Sequence, residues 1–292
     1  MPTKISPLRP DRLVLAGAAV LFLLNLSGDA WSAPQSSRLI SKMKNIELCN
    51  ASDRSSHESQ IRGCTALIND ENETTLVRAV AHNNRGDAYV VQENFEAAIN
   101  DYDQAIKLNP DFARPFNNRG FAYLKKGDYD RALKDFDQAI KLNPNYARAF
   151  ANRAETYQQR HDYQSAVRDY DNAIRVQPEL VAGWNGRCWT RAIMGELRPA
   201  LADCNKALAI RPNDAATLDS RGLIYLKLGQ FDSAISDYSS ALRIEPALAT
   251  ALYGRGIARI KKGDATGGNA DLAAAAKLEK KIAENFSHYG IH

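Results

Sequence analysis

Cys49, Cys64, Cys188 and Cys204 are the four cysteines of this 292-residue chain, and they fall into two local pairs. Thiols so placed can close disulfides or ligate a metal. A zinc site asks for CxxC-type spacing, and the chain has none; its histidines, His57, His82, His161, His288 and His292, are scattered. The motifs of other chemistries are missing as well. There is no nucleophile elbow, no HExxH pair and no GxxxxGK phosphate loop. The stretch GDATGGNAD at 263–271 is rich in glycine but has no lysine, and it reads as a loosened turn. The sequence therefore predicts no catalytic, cofactor-binding or metal site, and the chain is not expected to be an enzyme.

What positions the cysteines is an ordinary globular chain behind an unusual leader. Apolar residues make up 45% and charged residues 25%, with a formal charge of +4. The cations are dispersed among almost as many anions, so no nucleic-acid surface is expected. Residues 1–33 stand apart. Lys4, Arg9 and Arg12 precede the apolar run LVLAGAAVLFLLNL from Leu13 to Leu26, and small residues follow at Gly28, Ala30, Ser32 and Ala33. That is the layout of a secretory signal peptide, with cleavage expected between Ala30 and Ala33. The run is shorter than the roughly 20 residues of a membrane span; an uncleaved anchor is the alternative. After cleavage the chain is nearly neutral and holds no membrane-spanning segment. It is expected to be exported, periplasmic or secreted.

Beyond the leader the chain repeats itself. Pro110, Pro144, Pro178, Pro212 and Pro246 recur at an unbroken period of 34. Arg85, Arg119, Arg153, Arg187, Arg221 and Arg255 keep the same step, and so do Asp101, Asp135, Asp169, Asp203, Asp237 and Asp271. Numbering each unit so that its proline is position 32, residues at 4, 8 and 11 share one helical face and those at 20, 24 and 27 another. Gly127, Gly195, Gly229 and Gly263 stand between them at position 15. Each unit is thus two helices joined by a turn, and proline ends the second. One hairpin cannot bury its apolar face alone, so stacking supplies the missing surface. The Arg column at 7 and the Asp column at 23 lie equally far from the turn and predict a ladder of ion pairs that sets register.

The period of 34, with small residues at 8, Tyr89, Tyr123, Tyr157 and Tyr225 at 11 and Ala98, Ala132, Ala166, Ala200 and Ala234 at 20, resembles the tetratricopeptide repeat. Some positions depart: Arg191 and Arg259 replace the tyrosine, Gly268 replaces the alanine, and Lys280 stands where the next proline would fall. The fold expected is all-α, a right-handed helical-repeat solenoid of about six 34-residue helix-turn-helix units. It follows the signal peptide (1–33) and an N-terminal segment with a degenerate helical hairpin (34–78). The repeats run over 79–278. The spacing of Leu278, Ile282, Phe286 and Tyr289 predicts a capping helix over 279–292. Cys188 and Cys204 replace a small residue and an aromatic at the facing positions 8 and 24, which predicts the disulfide Cys188–Cys204. The other pair, Cys49–Cys64, would close the N-terminal hairpin, and an even cysteine count behind an export signal favours disulfides.

The resemblance also implies a role. It resembles exported bacterial tetratricopeptide proteins, so the expected function is a non-catalytic adaptor or scaffold in the periplasm or cell envelope, binding a protein or extended peptide on the concave face. An envelope enzyme subunit or a carbohydrate-binding structural protein is the alternative. Position 6 carries Asn84, Asn118 and Asn152, and the repeats of O-linked N-acetylglucosamine transferase carry an asparagine ladder there; the resemblance implies that these three line the groove. Arg114, Phe121, Arg148, Glu155 and Trp189 at positions 2 and 9 are the candidates for side-chain selectivity. A carboxylate clamp does not carry over, because Asn83 and Asp87 occupy its positions in the first unit.

Overall fold

The period-34 pattern becomes helical hairpins throughout. A computed structural model describes residues 33–50 and 56–291. All but the last residue of the expected leader lies outside them. Among the described residues there is no strand, and no helix is long and apolar enough to cross a membrane. The fold is a helical-repeat all-α one, and its residues fall into two compact units, one ending at Pro144 and one beginning at Asn145.

The N-terminal unit contains α1 (Ala33–Asn50), α2 (His57–Asn69), α3 (Thr75–Val91), α4 (Phe95–Leu108), α5 (Ala113–Lys125) and α6 (Tyr129–Leu142). The C-terminal unit contains α7 (Ala147–Gln159), α8 (Tyr163–Val176), α9 (Val181–Ile193), α10 (Leu197–Ile210), α11 (Ala215–Lys227), α12 (Phe231–Ile244), α13 (Ala249–Lys261), α14 (Ala265–Leu278) and α15 (Ile282–His288). Leu278 does not belong to the last helix. It ends α14 with its side chain exposed, while Ile282, Phe286 and Tyr289 are buried.

The turn at position 15 has one geometry in all six repeats. Gly127, Gly195, Gly229 and Gly263 adopt φ of 78°, 83°, 71° and 93°, and Glu93 and His161 adopt 58° and 61° where the glycine is missing. At each turn the backbone N–H at position 16 donates to the carbonyl at position 11, as from Asp128 to Tyr123 at 2.9 Å. This closes the first helix with the bond of a Schellman motif, which needs a left-handed residue just before it. Position 16 then caps the second helix: Asn94, Asp128, Asp162 and Asp264 each accept from the backbone N–H three residues on.

Within a hairpin the ring at position 24 lies against the small residue at position 8. A Cβ on Gly120 would sit 2.9 Å from Phe136, and one on Gly222 would sit 2.8 Å from Tyr238. In the fourth repeat the Cys188–Cys204 disulfide replaces that contact and joins α9 to α10. The Cys49–Cys64 disulfide joins α1 to α2, and together the two pairs use all four cysteines.

The columns of charge form the register ladder. Arg119 Nε and Nη2 donate to the two oxygens of Asp135 at 2.8 and 2.7 Å, and the same fork joins Arg85 to Asp101, Arg153 to Asp169, Arg187 to Asp203, Arg221 to Asp237 and Arg255 to Asp271. The third nitrogen reaches back one repeat: Arg119 Nη1 to Asp103 at 2.5 Å, Arg187 Nη1 to Asp171 at 2.5 Å, Arg221 Nη1 to Asn205 at 2.8 Å. One guanidinium therefore fixes both the hairpin and its stacking. The departures at position 11 belong to the same ladder, since Arg191 and Arg259 add a second cation to Asp203 and Asp271.

Candidate functional site

The first helices of successive hairpins pack in a row. In the N-terminal unit α3 lies on α5, and in the C-terminal unit α7 lies on α9, α9 on α11 and α11 on α13. Positions 2, 5, 6 and 9 are carried by these helices, and there the structure collects polar groups that serve neither caps nor the register ladder.

In the N-terminal unit they form a buried network. Asn118 Nδ2 donates to Asn83 Oδ1 at 3.2 Å and to Asp87 Oδ1 at 2.9 Å, and the Tyr102 hydroxyl donates to the same Asp87 oxygen at 2.8 Å. Asn117 donates to Asn118 at 2.9 Å, and Asn83 Nδ2 lies 3.3 Å from Asn84 Oδ1. Asn84 reaches the Cys49 carbonyl at 3.5 Å, and Gln60 donates to the Asn84 carbonyl at 3.1 Å. Asn84 and Asn118 are thus enclosed, at 1% and 0% exposure, and linked through Asn83. Phe121 is buried with Lys125 Nζ 4.9 Å above its ring, and Arg114 is half-buried with Nη1 lacking a hydrogen-bond partner among the described residues.

The C-terminal unit holds the other candidates. Asn152, Glu155 and Trp189 are buried, and Arg148 is half-buried. Gln158 ties three helices together: its Oε1 accepts from the Tyr170 hydroxyl at 2.9 Å, and its Nε2 donates to Thr190 Oγ1 at 2.6 Å. Farther along the row, Asp219 Oδ2 accepts from Thr250 Oγ1 at 2.7 Å. Burial pushes the Asp219 carboxyl up to about 7, with a further push from Glu245. Burial also raises the Tyr238 phenol, helped by Asp219 and Asp237. The Tyr238 hydroxyl and Trp189 Nε1 are both buried without a hydrogen-bond partner among the described residues.

Sequence reasoning passed over Asn117, Gln158 and Asp219, and used Asn83 and Asp87 only to set aside a carboxylate clamp. The signal was present for two of them: Asn83 and Asn117 each precede a position-6 asparagine, so the amides come as adjacent pairs. Among the described residues no cluster of His, Cys, Asp and Glu could hold a metal ion.

Family models decide what these repeats are. A model described as TPR repeat matches residues 86–127 and 222–263, and two described as tetratricopeptide repeat match 113–146 and 136–168. The chain is a tetratricopeptide repeat protein. No curated protein matches it. Among solved structures, a tetratricopeptide repeat protein from Parabacteroides merdae is 20% identical with a TM-score of 0.65, covering 86% of this chain and 99% of that one. The hetero-tetramer Cut9–Hcn1 of APC/C gives 15% identity and a TM-score of 0.70 over 84% of this chain and 48% of that one. A thermophilic TPR protein of Thermus thermophilus gives 21% and 0.54, over 62% and 99%. These likenesses show the tetratricopeptide fold.

Proposed function

We propose that the protein is a non-catalytic adaptor of the periplasm or cell envelope that binds a polypeptide on the concave face of its first-helix row. The observation that carries this reading is the set of buried polar side chains on α3 and α5 of the N-terminal unit and, separately, on α7, α9 and α11 of the C-terminal unit. The Arg–Asp forks account for register and the position-16 side chains for capping, yet Asn83, Asn84, Asn117, Asn118, Asn152, Asn185 and Asp219 are buried beyond what either needs. Amides both donate and accept, which suits them to a peptide backbone. Arg114 Nη1 and Trp189 Nε1, both donors without a partner among the described residues, add further capacity. Two disulfides that use every cysteine suit an oxidising compartment, as does the leader at residues 1–33.

The test is capture from an envelope extract with the chain beginning at Pro34. A discrete, stoichiometric polypeptide retained by this chain and lost on Asn118→Ala with Asn152→Ala is the expected result. Retention of sugar oligomers and no polypeptide would contradict it.

A further inference from the structure

The end of the chain does more than close its last hairpin. Helix α15 packs on α13 and α14, as a cap must, but Tyr289, just after it, reaches farther. The Phe286 ring lies 4.7 Å from that of Tyr253 in α13, and the Tyr289 ring stands edge-on to Trp189 in α9 at 5.8 Å and 86°. Between them, Asp219 in α11 is close enough to help raise the Tyr289 phenol, whose largest push is burial. One turn of chain therefore lies across three successive first helices, two repeats beyond the hairpin it caps.

What lies beneath is poorly matched to that segment. Trp189 is buried, yet its indole N–H has no hydrogen-bond partner among the described residues, and the same holds for the Tyr238 hydroxyl. An unsatisfied buried donor is costly, and native cores rarely keep one without a reason. Here two occur in one apolar cluster, together with Ile282, Phe286 and Tyr289. Exposure of the large apolar surface under the segment would be costly as well, so something must cover it. The segment supplies the aromatic cover and leaves the donors open.

We propose that the face of α9, α11 and α13 is a peptide site filled in cis by residues 282–291. Its partner in trans is a peptide presenting two aromatic side chains three residues apart, as Phe286 and Tyr289 do, with a main-chain carbonyl for the Trp189 indole N–H. This rests on the peptide-binding reading above and adds the ligand's chemistry and a self-occupied resting state. Aromatic anchors in such a site supply most of the contact area at low entropic cost. An intramolecular segment competes at high effective concentration, so the trans peptide binds the intact chain weakly.

The experiment uses a fluorescein-labelled peptide with the sequence of residues 282–290, IAENFSHYG, and the full chain from Pro34. Anisotropy should show at least tenfold tighter binding to the Phe286→Ala, Tyr289→Ala double variant than to the parent, and Trp189→Phe should abolish the gain. Equal affinity for parent and double variant would overturn the proposal. If the double variant does not fold, hydrogen exchange on the unaltered chain decides. Saturating unlabelled peptide should speed exchange of the amides at 282–291 at least tenfold while α12 stays protected, and unchanged exchange would overturn the proposal. The two readings fail separately. Envelope capture without a polypeptide sinks the adaptor reading alone, and capture of a partner with no effect of the segment on the labelled peptide sinks the self-occupied site alone.

Discussion

Arg119 holds Asp135 with two nitrogens at 2.8 and 2.7 Å and reaches Asp103 of the preceding hairpin with the third. Hairpin closure and repeat stacking thus share one side chain. Burial pushes the Asp135 carboxyl upward and the guanidinium pulls it back. Arg119→Ala leaves that carboxylate buried and unpaired, which should cost about 3 kcal/mol. Arg119→Lys should recover less than half, because an ammonium cannot fill the fork. Urea unfolding checks both; a loss below about 0.5 kcal/mol for the alanine variant would mean that the ladder is only surface decoration.

Glu93 and His161 take a left-handed backbone that four other repeats give to glycine. Replacing either with glycine should relieve on the order of 1 kcal/mol of strain, partly offset by the greater freedom of the unfolded chain. Gly127→Ala should destabilise by about the same amount. Thermal melts of the three single variants decide; destabilisation by both Glu93→Gly and His161→Gly would show that the side chains matter more than φ.

The repeat, its turn and its ladder were legible because each is local or recurs. A proline every 34 residues ends a helix wherever it falls, and Arg at 7 faces Asp at 23 by distance from the turn alone. The left-handed Glu93 and His161 were not legible, since neither residue type announces that backbone. The end of the chain was misread in one respect. Spacing of four joined Leu278 to Ile282, but residues 279–281 break the helix, and Leu278 turns to solvent. At the candidate face the position-6 asparagines could be found by period. The adjacent Asn83 and Asn117 carried the same signal, but the pairing of Asn118 with Asn83 and Asp87 carried none, because side-chain pairing across stacked hairpins depends on how the helices pack, which no spacing states. The reach of Tyr289 to Trp189, a hundred residues apart, is likewise purely tertiary.

Asp219 makes stability depend on pH in a fixed direction. Its carboxyl lies at about 7 in the fold against an ordinary 3.8, so the folded state binds the proton more tightly than the unfolded one. Its contribution is unpenalised below pH 3.8 and is lost as pH rises through 7. Each tenfold in proton affinity is worth about 1.4 kcal/mol, so the penalty at pH 8 is on the order of 4 kcal/mol. Asp219→Asn keeps an acceptor for Thr250 and should be more stable than the parent at pH 8, with the gap closing toward pH 4. A gap that does not change with pH would contradict this. The groups facing Asp219, namely Glu245, Tyr238 and Tyr289, are present in both proteins, and burial keeps the two phenols protonated across this pH range.

Each disulfide spans a short loop, with sequence separations of 15 and 16. The chain-entropy model gives about 3 kcal/mol for either. Cys188 and Cys204 sit where three other repeats place a glycine against a ring, Gly86 on Tyr102, Gly120 on Phe136 and Gly222 on Tyr238, so replacing both with Ala also leaves a gap. That variant should lose more stability than the Cys49→Ala, Cys64→Ala variant under the same conditions. Equal losses in denaturant unfolding would show that packing at the fourth repeat adds nothing.

The central claim, that the first-helix row is the binding face, is tested most directly by site-specific photo-crosslinking in intact cells. A benzophenone amino acid would be placed at Arg114 or Arg148 on that row, and at the exposed Lys134 or Lys206 on second helices. The account predicts a discrete polypeptide adduct from Arg114 and Arg148 and none from Lys134 and Lys206. Adducts only from the second-helix positions, or none from either row, would contradict it.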